Sequence, residues 1–296
     1  MNWILSITLS ILINASFAQV FVNRCEEIFG DKPMFVQNYI RKFAVKSISG
    51  TVSTKAQLDE IRPTNDVHYY KFNRAGELTL EYTTQFGDTL ITLYVYDERS
   101  NVIIKRKADN YGFHSYHYRY DNLNRMIQYE YRSEKNAGQD ELTHVPDDSK
   151  IVTSEKFEYI ALADNNYKKI YYNNIGIAYK EEFYYFDEKN CLIKQESALK
   201  NGAGRSVVYY TYDDTGRLLS KETNVSMMGN FTTKNIFEYD EKGNTQAQRF
   251  YRDDVYMTEY QYLYVPENGL LSAIISREHA TNFMTIISFK SFTFFE

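Results

Sequence analysis

The chain has 296 residues, a formal net charge of -5 and 25% charged residues. Both signs of charge are interspersed, which excludes a nucleic-acid partner, because such proteins cluster Lys and Arg on one face. Only Cys25 and Cys191 are present, which excludes a disulfide-rich scaffold and leaves open whether these two are bridged. Tyr and Phe number 28 and 19, and Pro only 4. Because aromatic residues favour strands and proline is kept out of sheet interiors, the composition predicts an all-β protein.

Residues 1–18 have the pattern of a secretory signal peptide. An apolar run extends from Trp3 to Ile13, and small residues in Ser16-Phe17-Ala18 occupy the positions that a signal peptidase reads. The run is shorter than the roughly 20 residues that a membrane-spanning helix needs. We therefore predict export with cleavage before Gln19, which makes the protein periplasmic, cell-surface or secreted. Outer-membrane insertion is the alternative location.

Residues 19–66 form an N-terminal segment that precedes the repetitive part of the chain. Glu26 to Ile40 is predicted to be a short helix interrupted near Pro33, and Phe43 to Thr54 alternates as a first strand would. No stretch after the signal peptide approaches 18 consecutive apolar residues, so no transmembrane helix is predicted in the mature chain.

Residues 67–296 contain a short phrase that returns about every 25 residues. Its clearest copy is the stretch Tyr212-Asp213-Asp214-Thr215-Gly216-Arg217-Leu218. The aromatic residues that begin the copies are Phe72, Tyr96, Tyr120, Tyr159, Phe186, Tyr212, Tyr239 and Tyr264. A period of this size indicates one small unit that is copied and stacked on its neighbours.

The phrase has the chemistry of a β-hairpin turn. Asp starts a type I turn by accepting backbone hydrogen bonds, and Gly or Asn three residues later permits a left-handed conformation. The prediction is a three-residue loop with a G1 bulge, in which Asp213 faces Arg217 and Tyr212 faces Leu218. The same register pairs Phe72 with Leu78, Tyr96 with Val102, Tyr120 with Met126, Phe186 with Leu192 and Tyr239 with Thr245.

Eight such units give roughly 16 strands, and Met284 to Phe292 is a candidate closing strand. The predicted fold is all-β, an antiparallel meander of repeated hairpins that forms a curved sheet, either open or closed into a large barrel. Counting upstream in steps of two, tyrosines continue along one face of each strand while the other face is mostly polar. We therefore expect one aromatic face and one wet face.

A tyrosine has an apolar ring and a polar tip, so a row of them can bind sugars, peptides or lipid headgroups. The candidate ligand-binding residues on the aromatic face are Tyr94, Tyr116, Tyr118, Tyr210, Tyr260 and Tyr262. The alternative is that these side chains form the packed core of the sheet. The long interval between the third and fourth copies places Ser133 to Lys150 in a solvated loop, with partner or cation binding as the alternative.

The sequence contains no recognisable catalytic motif, neither a His-Glu-x-x-His helix nor a Gly-x-Ser-x-Gly elbow nor a phosphate-binding loop. His114 and His117 are the closest pair of histidines, and their odd spacing sends them to opposite faces of a strand. The repeated Asp residues are explained by turn formation. We therefore expect no catalytic residue, no metal site, no cofactor and no enzymatic activity.

The copies between Phe72 and Leu271 resemble the YD repeats of the Rhs family. In that family long arrays form a spiralling β-sheet shell that can enclose a toxic C-terminal domain. This chain has about eight units without the family's core motif rich in Asp and Pro, so it is more similar to short exported YD-repeat proteins of bacterial envelopes, some of them uncharacterised. The resemblance implies a non-enzymatic binding or structural module whose unknown partner is a protein, peptide or glycan.

Two other functions stay open at this stage. In an outer-membrane β-barrel, tyrosines near short turns would form an interfacial girdle and one face would be apolar. The charged fraction, and the continuation of the aromatic face into polar residues such as Gln128 and Glu130, do not favour membrane association. An enzyme of unknown class is the other alternative.

Overall fold

The structure is a computed structural model that describes residues 35–296, except 86, 110–111, 137–145 and 227–228. The predicted signal peptide, Cys25 and most of the predicted Glu26 to Ile40 helix lie outside the described residues. One short helix, α1 (Gln37–Lys42), begins the described part of the chain. It extends two residues beyond the predicted end of the helix, and Arg41 and Lys42 give its last turn the positive charge that complements the helix dipole.

Eighteen strands follow α1 in the described residues. They are β1 Val45–Lys55, β2 Arg62–Phe72, β3 Leu78–Gln85, β4 Asp88–Tyr96, β5 Val102–Asp109, β6 Gly112–Tyr120, β7 Met126–Asn136, β8 Pro146–Ala161, β9 Tyr167–Tyr172, β10 Ala178–Phe186, β11 Leu192–Leu199, β12 Arg205–Tyr212, β13 Leu218–Ser226, β14 Asn230–Tyr239, β15 Thr245–Arg252, β16 Val255–Tyr264, β17 Leu271–Glu278 and β18 Met284–Phe294.

The strands form a closed antiparallel barrel. Each strand pairs with the next one in sequence, and β18 returns to pair with β1. The all-β meander of hairpins is therefore confirmed, and the sheet is closed. The repeats supply β2 to β17, while β1 and β18 come from the predicted first and closing strands.

The repeat turns all lie at one end of the barrel, because each joins an even-numbered strand to the following odd-numbered one. In the clearest copy the Gly216 amide donates to the Asp213 carbonyl at 3.0 Å and the Asp213 amide donates to the Arg217 carbonyl at 2.9 Å. Gly216 has a φ of +80°, as its place in the turn requires. The predicted three-residue loop is confirmed.

The predicted aromatic–aliphatic register is also confirmed. Tyr212 pairs with Leu218, and the other five predicted pairs occur as well. The structure adds a second irregularity, because the register shifts immediately beyond each pair, so that Thr211 pairs with Ser220. This β-bulge changes which residues of the outgoing strand face each side of the sheet.

The fourth repeat is displaced from its predicted position. Its turn is closed by Leu162 and Asn166, and Ala161, not Tyr159, is the residue that pairs across the hairpin with Tyr167. The prediction that Tyr159 begins a copy was wrong by two residues. The physical reason is that two consecutive polar residues, at positions 164 and 165, both adopt positive φ and form a different turn.

The prediction of a solvated loop from Ser133 to Lys150 was wrong at both ends of that segment. β7 continues to residue 136 and β8 begins at residue 146, with Ser133 paired with Lys150 and Glu134 with Ser149. The insertion therefore lengthens a hairpin, because strand pairing satisfies the backbone groups of both of its ends. Residues 137–145 lie outside the described part.

Helix α1 identifies the inner face of the barrel. The Gln37 side chain donates to Ala75 in the β2–β3 turn and to Ser100 in the β4–β5 turn, both at 3.1 Å, and the Tyr39 hydroxyl donates to the Asn268 carbonyl in the β16–β17 turn at 2.7 Å. The outermost of these turns are six strand spacings apart, about 29 Å along the wall. A six-residue helix is about 9 Å long and reaches both only across the concave side.

The face that packs against α1 is the aromatic one. The Phe35 ring lies 4.8 Å from the Tyr70 ring and 5.2 Å from the Phe72 ring. Ile40, Ile48 and other apolar residues from both ends of the strand array complete this cluster. A second buried cluster on the aromatic face contains Tyr184, Leu192, Val208, Tyr210 and Leu218. The aromatic face is therefore the inner wall of the barrel, and the wet face is the outer wall.

Candidate functional site

A row of tyrosine hydroxyls joins successive hairpins at the repeat-turn end. Each hydroxyl donates to a backbone carbonyl of the preceding hairpin, at the residue that follows its turn. The bonds are Tyr96 to Leu78 at 2.7 Å, Tyr120 to Val102 at 2.9 Å, Tyr159 to Met126 at 2.9 Å, Tyr212 to Leu192 at 2.7 Å, Tyr239 to Leu218 at 2.7 Å and Tyr264 to Thr245 at 2.8 Å. We call these six residues the hydroxyl ladder.

The hydroxyl ladder explains why the repeat uses Tyr and not Phe. Phe72 and Phe186 are the two copies without a hydroxyl. No repeat hairpin precedes Phe72, and the irregular turn precedes Phe186, whose amide donates to the Asn166 side chain at 2.9 Å. Burial raises the pKa of Tyr239 to about 12, so its hydroxyl keeps its proton and stays a donor at neutral pH. These tyrosines are structural.

Replacing Tyr239 with Phe is expected to lower the free energy of unfolding by about 1–2 kcal/mol, because the half-buried Leu218 carbonyl loses its donor. Urea denaturation followed by circular dichroism measures the change. The matched control is Tyr209→Phe on the outer wall, where the side chain is 44% exposed and the expected change is close to zero. Equal losses in both variants would show that the ladder bond does not stabilise the fold.

The sequence-predicted binding residues all lie on the inner wall, but at three separate places. Tyr94, Tyr116 and Tyr118 come from β4 and β6, Tyr210 from β12, and Tyr260 and Tyr262 from β16. Tyr94, Tyr118 and Tyr210 are buried, whereas Tyr260 is 37% exposed. Three hydroxyls lie near polar groups of neighbouring strands: Tyr94 donates to Glu81 at 3.3 Å, Tyr210 to Gln195 at 3.2 Å and Tyr262 to Gln248 at 3.5 Å.

The first of these places is part of a surface of several tyrosine rings. Tyr116 lies 6.1 Å from Tyr129 and 5.3 Å from Tyr131, and Tyr118 lies 5.9 Å from Tyr129, between ring centres. We call Tyr116, Tyr118, Tyr129 and Tyr131 the tyrosine wall. Sequence reasoning missed Tyr129 and Tyr131, because the bulge beyond Met126 brings them to the inner face.

Cationic side chains border the tyrosine wall on β5. The ammonium group of Lys105 lies 5.7 Å from the centre of the Tyr94 ring, and that of Lys107 lies 6.0 Å from the centre of the Tyr116 ring. On the other side, the hydroxyl of Tyr131 is hydrogen-bonded to Nδ1 of His114 at 3.0 Å. The arrangement offers ring faces, hydroxyls and two ammonium groups, beside the carboxylates of Glu81 and Glu155 on the same face, which suits a polar ligand.

A second polar feature of the inner wall surrounds Lys169 on β9. This side chain is 9% exposed, and its ammonium lies 4.0 Å from the Phe157 ring centre and 4.5 Å from that of Tyr171. Burial lowers the pKa of Lys169 to about 8, although nearby Glu182 opposes this shift. The sequence analysis did not identify Lys169 as a site residue, because it placed the start of the repeat on β8 two residues too early.

Glu182 is the buried carboxylate of this cluster. It accepts hydrogen bonds from the Tyr171 hydroxyl, at 2.6 Å, and from the Tyr184 hydroxyl. It also forms an ion pair with Lys180 at 2.6 Å. Burial alone would raise the pKa of Glu182, but these donors outweigh burial and hold it below its usual range. The carboxylate is therefore held by two hydrogen bonds and one ion pair within the inner wall.

The outer wall carries ion pairs within strands and between neighbouring strands. Arg249 contacts Glu238 and Glu259, and Arg277 lies 3.5 Å from Glu259. Similar pairs are Lys168 with Glu181, Lys194 with Glu196, Arg205 with Glu196, Arg132 with Glu130 and Arg106 with Glu134. These strands carry the predicted polar second face, whereas β2 to β6 carry an apolar cluster on the same face, formed by Leu80, Ile91 and Ala108 with Tyr69, Tyr82, Leu93 and Phe113 packed against them.

Neither a metal centre nor a spanning helix is found in the part of the chain that the structure describes. No three His, Cys, Asp or Glu side chains of residues 35–296, outside the gaps, come together to hold an ion. His114 and His117 lie on opposite faces, as predicted, with His117 3.7 Å from Glu134 on the outer wall. None of the described helices is long and apolar enough to cross a membrane.

No protein-family model matches the chain, and no curated protein matches its sequence. Among solved structures, a porin-like protein from Bacteroides uniformis is similar at 11% identity and a TM-score of 0.38, over 83% of this chain and 98% of that one. A porin-like protein from Bacteroides vulgatus has 10% identity and a TM-score of 0.34, over 81% and 96%. The Photorhabdus luminescens Tc holotoxin pore has 11% identity and a TM-score of 0.23, over 80% and 18%. These TM-scores are too low to support an inference about function.

Proposed function

We propose that the chain is an exported, non-enzymatic binding protein of the bacterial envelope, built from YD repeats, and that its ligand is an acidic glycan held inside the barrel. The observation that carries this proposal is the tyrosine wall with Lys105 and Lys107 beside it on the inner face. Tyrosine rings stack on the apolar faces of sugars, and the ammonium groups complement carboxylates or sulfates on the sugar.

The size of the barrel supports this use of the inner wall. Closed barrels of 16–18 strands leave a water-filled interior, whereas eight strands leave room only for side chains. The two buried clusters on the inner wall occupy separate groups of strands, and neither contains the tyrosine wall. Lys107 is exposed. The rings and lysine tips of β5 to β7 are thus the part of the inner wall best placed to meet a ligand.

The outer wall favours an aqueous surrounding over a lipid one. A cationic side chain on the lipid face costs about 2–4 kcal/mol at the bilayer midplane. Arg249 and its partner Glu259 lie near the middle of β15 and β16 on that face. We therefore place the mature protein in the periplasm, at the cell surface or outside the cell in preference to the outer membrane.

The inner wall also favours binding over catalysis. Lys169 is a buried amine of the inner wall. Because its pKa is about 8, most of this amine is protonated at neutral pH. Its carboxylate neighbour Glu182 is held by three donors. No nucleophile, base and orienting group come together among the residues that the structure describes around this lysine.

A glycan array and a peptide array probed with the mature protein test the proposal. Acidic glycans are expected to bind above background, and Lys107→Glu is expected to weaken binding at least about tenfold, equivalent to 1.4 kcal/mol. The matched control is Lys156→Glu, which makes the same charge change at an exposed position of the outer wall and should leave binding unchanged.

Three outcomes would overturn the proposed ligand or its location. One is the absence of any bound glycan, and another is binding confined to peptides. The third is an equal loss in both lysine variants, which would move the site away from the tyrosine wall. Circular dichroism of each variant verifies that the barrel is folded before the arrays are compared.

A further inference from the structure

In two repeat turns an arginine links its own hairpin to the next one. The Arg217 Nε donates to the Asp213 carboxylate at 2.6 Å, and the guanidinium lies 4.8 Å from the centre of the Tyr239 ring on the following hairpin. Arg125 does the same with Asp121, at 2.7 Å, and Tyr159, at 4.7 Å. The space between a turn carboxylate and the next ladder tyrosine is therefore a place where this fold holds a guanidinium.

The β14–β15 turn has the same surroundings but a shorter side chain. Asn244 occupies the position of the arginine, and its Nδ2 donates to the Asp240 carboxylate at 2.8 Å. The following ladder tyrosine, Tyr264, is also in place. Asn244 is 2% exposed, and its Oδ1 has no hydrogen-bond partner among the described residues. A buried acceptor without a donor destabilises the folded state, so a ligand that donates a hydrogen bond to this atom would be favoured.

An open groove lies at this turn. It has a volume of about 630 Å³, and Asp240, Asn244, Tyr264 and Gly269 are among the described residues that line it. Its lining carries four carboxylates and two cations, which gives it a negative potential. Arg249 is held by Glu238 and Glu259, and the Lys242 ammonium donates to the Pro266 carbonyl at 3.3 Å.

The β4–β5 turn also has an asparagine at this position. Asn101 bonds to Asp97 at 3.0 Å, and the adjoining groove of about 410 Å³ is lined by Asp97, Tyr120 and Arg99. The Arg99 guanidinium donates a hydrogen bond to the Asp121 carbonyl at 3.3 Å. The Arg99 guanidinium and Asn101 Nδ2 also both donate to Asn124 Oδ1, at 3.5 and 3.2 Å, so a guanidinium lies beside Asn101. The matching position beside Asn244 is Lys242, which lacks the planar group.

We propose that the groove between the β14–β15 and β16–β17 turns binds a guanidinium group, as on an arginine side chain of a partner peptide. The group would lie over the Tyr264 ring, pair with the Asp240 carboxylate and donate to Asn244 Oδ1. Guanidinium has five N–H donors in a plane, which matches a carboxylate and an amide oxygen side by side. This site is on the turn end and does not depend on the glycan-binding proposal.

Titration of the mature protein with N-acetylarginine amide, followed by NMR or calorimetry, tests the site. A single guanidinium is expected to bind with a Kd of the order of 1 mM, and N-acetyllysine amide at least about fivefold more weakly. A short peptide with one internal arginine distinguishes the sources, because tighter binding of the peptide identifies a peptide partner, whereas preference for free agmatine identifies a small molecule and would overturn the peptide assignment.

Two variants locate the binding on the turn. Asn244→Arg places a guanidinium in the groove from within and should weaken arginine binding at least about tenfold. Arg217→Asn opens the equivalent space beside Tyr239 and should add a second binding site. Unchanged binding in Asn244→Arg, or no arginine binding by the wild-type chain, would overturn the proposal, and the wild-type comparison of arginine with lysine does so without any variant.

Discussion

Replacing Gly76 with Ala is expected to lower the free energy of unfolding by about 2–5 kcal/mol, whereas the same change at Gly176 should cost about 1–2 kcal/mol. Both glycines occupy the same position of turns closed by the same pair of backbone hydrogen bonds, with φ of +82° and +78°. Gly76 is in the β2–β3 turn, and Gly176 is in the β9–β10 turn at the other end of the barrel. A Cβ at Gly176 meets no atom within 4 Å. The Gly176 variant therefore measures the cost of a left-handed alanine alone.

Gly76 carries an additional constraint, because α1 lies directly on it. A Cβ there would be 2.3 Å from the Gln37 carbonyl oxygen and 2.8 Å from the Arg41 amide nitrogen. Both are helix backbone atoms, so the clash is relieved only by moving α1 away from the turn. Such a movement would also strain the bond from Tyr39 to the Asn268 carbonyl.

Chemical denaturation of the wild type and both variants measures the two losses. The slope of the transition and the far-ultraviolet circular dichroism spectrum should stay similar, which keeps the comparison between folded barrels. Equal losses in Gly76→Ala and Gly176→Ala would contradict the placement of α1 against the β2–β3 turn. Increased protease sensitivity near α1 in Gly76→Ala would be the local readout of its displacement.

Replacing Asp213 with Ala is expected to cost about 2–4 kcal/mol, because one carboxylate holds the whole turn. It accepts bonds from the Thr215 amide at 2.9 Å, the Thr215 hydroxyl at 2.7 Å, the Arg217 amide at 3.0 Å and the Arg217 Nε at 2.6 Å. Asp213→Asn should cost less, since Asn73 fills this role naturally and accepts from the Glu77 amide at 3.0 Å. Asp214→Ala is the control, because Asp214 takes part in none of these four bonds.

The same carboxylate gives the stability a pH dependence. Partial burial raises the pKa of Asp213, but the donors from Arg217 and Thr215 outweigh it and lower the pKa to about 2. Because the folded pKa lies below the unfolded value, the contribution is present above about pH 4 and is lost as the pH falls towards 2. Solvent around this partly exposed carboxylate screens the interaction, which reduces the contribution to roughly 1 kcal/mol. Between pH 5 and pH 2 the stability difference between wild type and Asp213→Asn should therefore shrink, and a constant difference would contradict this assignment.

The repeat turns were predictable because their chemistry is local. Asp213, Gly216 and the pairing of Tyr212 with Leu218 follow from a few adjacent residues. The phase at Tyr159 was not predictable, since a different turn with two left-handed residues, 164 and 165, follows it. The local sequence pattern also predicted a loop from Ser133 to Lys150. That prediction was wrong because the two ends of this segment pair with each other as strands.

The candidate site was only partly predictable for the same reason. Tyr116 and Tyr118 follow from counting along one strand, but Tyr129 and Tyr131 reach the same face through a bulge. Lys169 enters an aromatic cluster through contacts from β8. The unpaired Oδ1 of Asn244 is recognised only in three dimensions, where Asn244 occupies the position that Arg125 and Arg217 hold in their own turns. Each of these depends on how neighbouring hairpins meet, which the repeat phrase alone does not encode.

The pairing of β18 with β1 makes the number of hairpins a fixed quantity. A solenoid can gain or lose a unit at either end, but a ring changes its circumference with every unit and must still meet itself in register. Loss of one hairpin would remove two strands and bring the three turns that hold α1 closer together. The ring also pairs both edges of most of the described strands, and β8 is an exception, because its residues 146–155 pair with β7 alone.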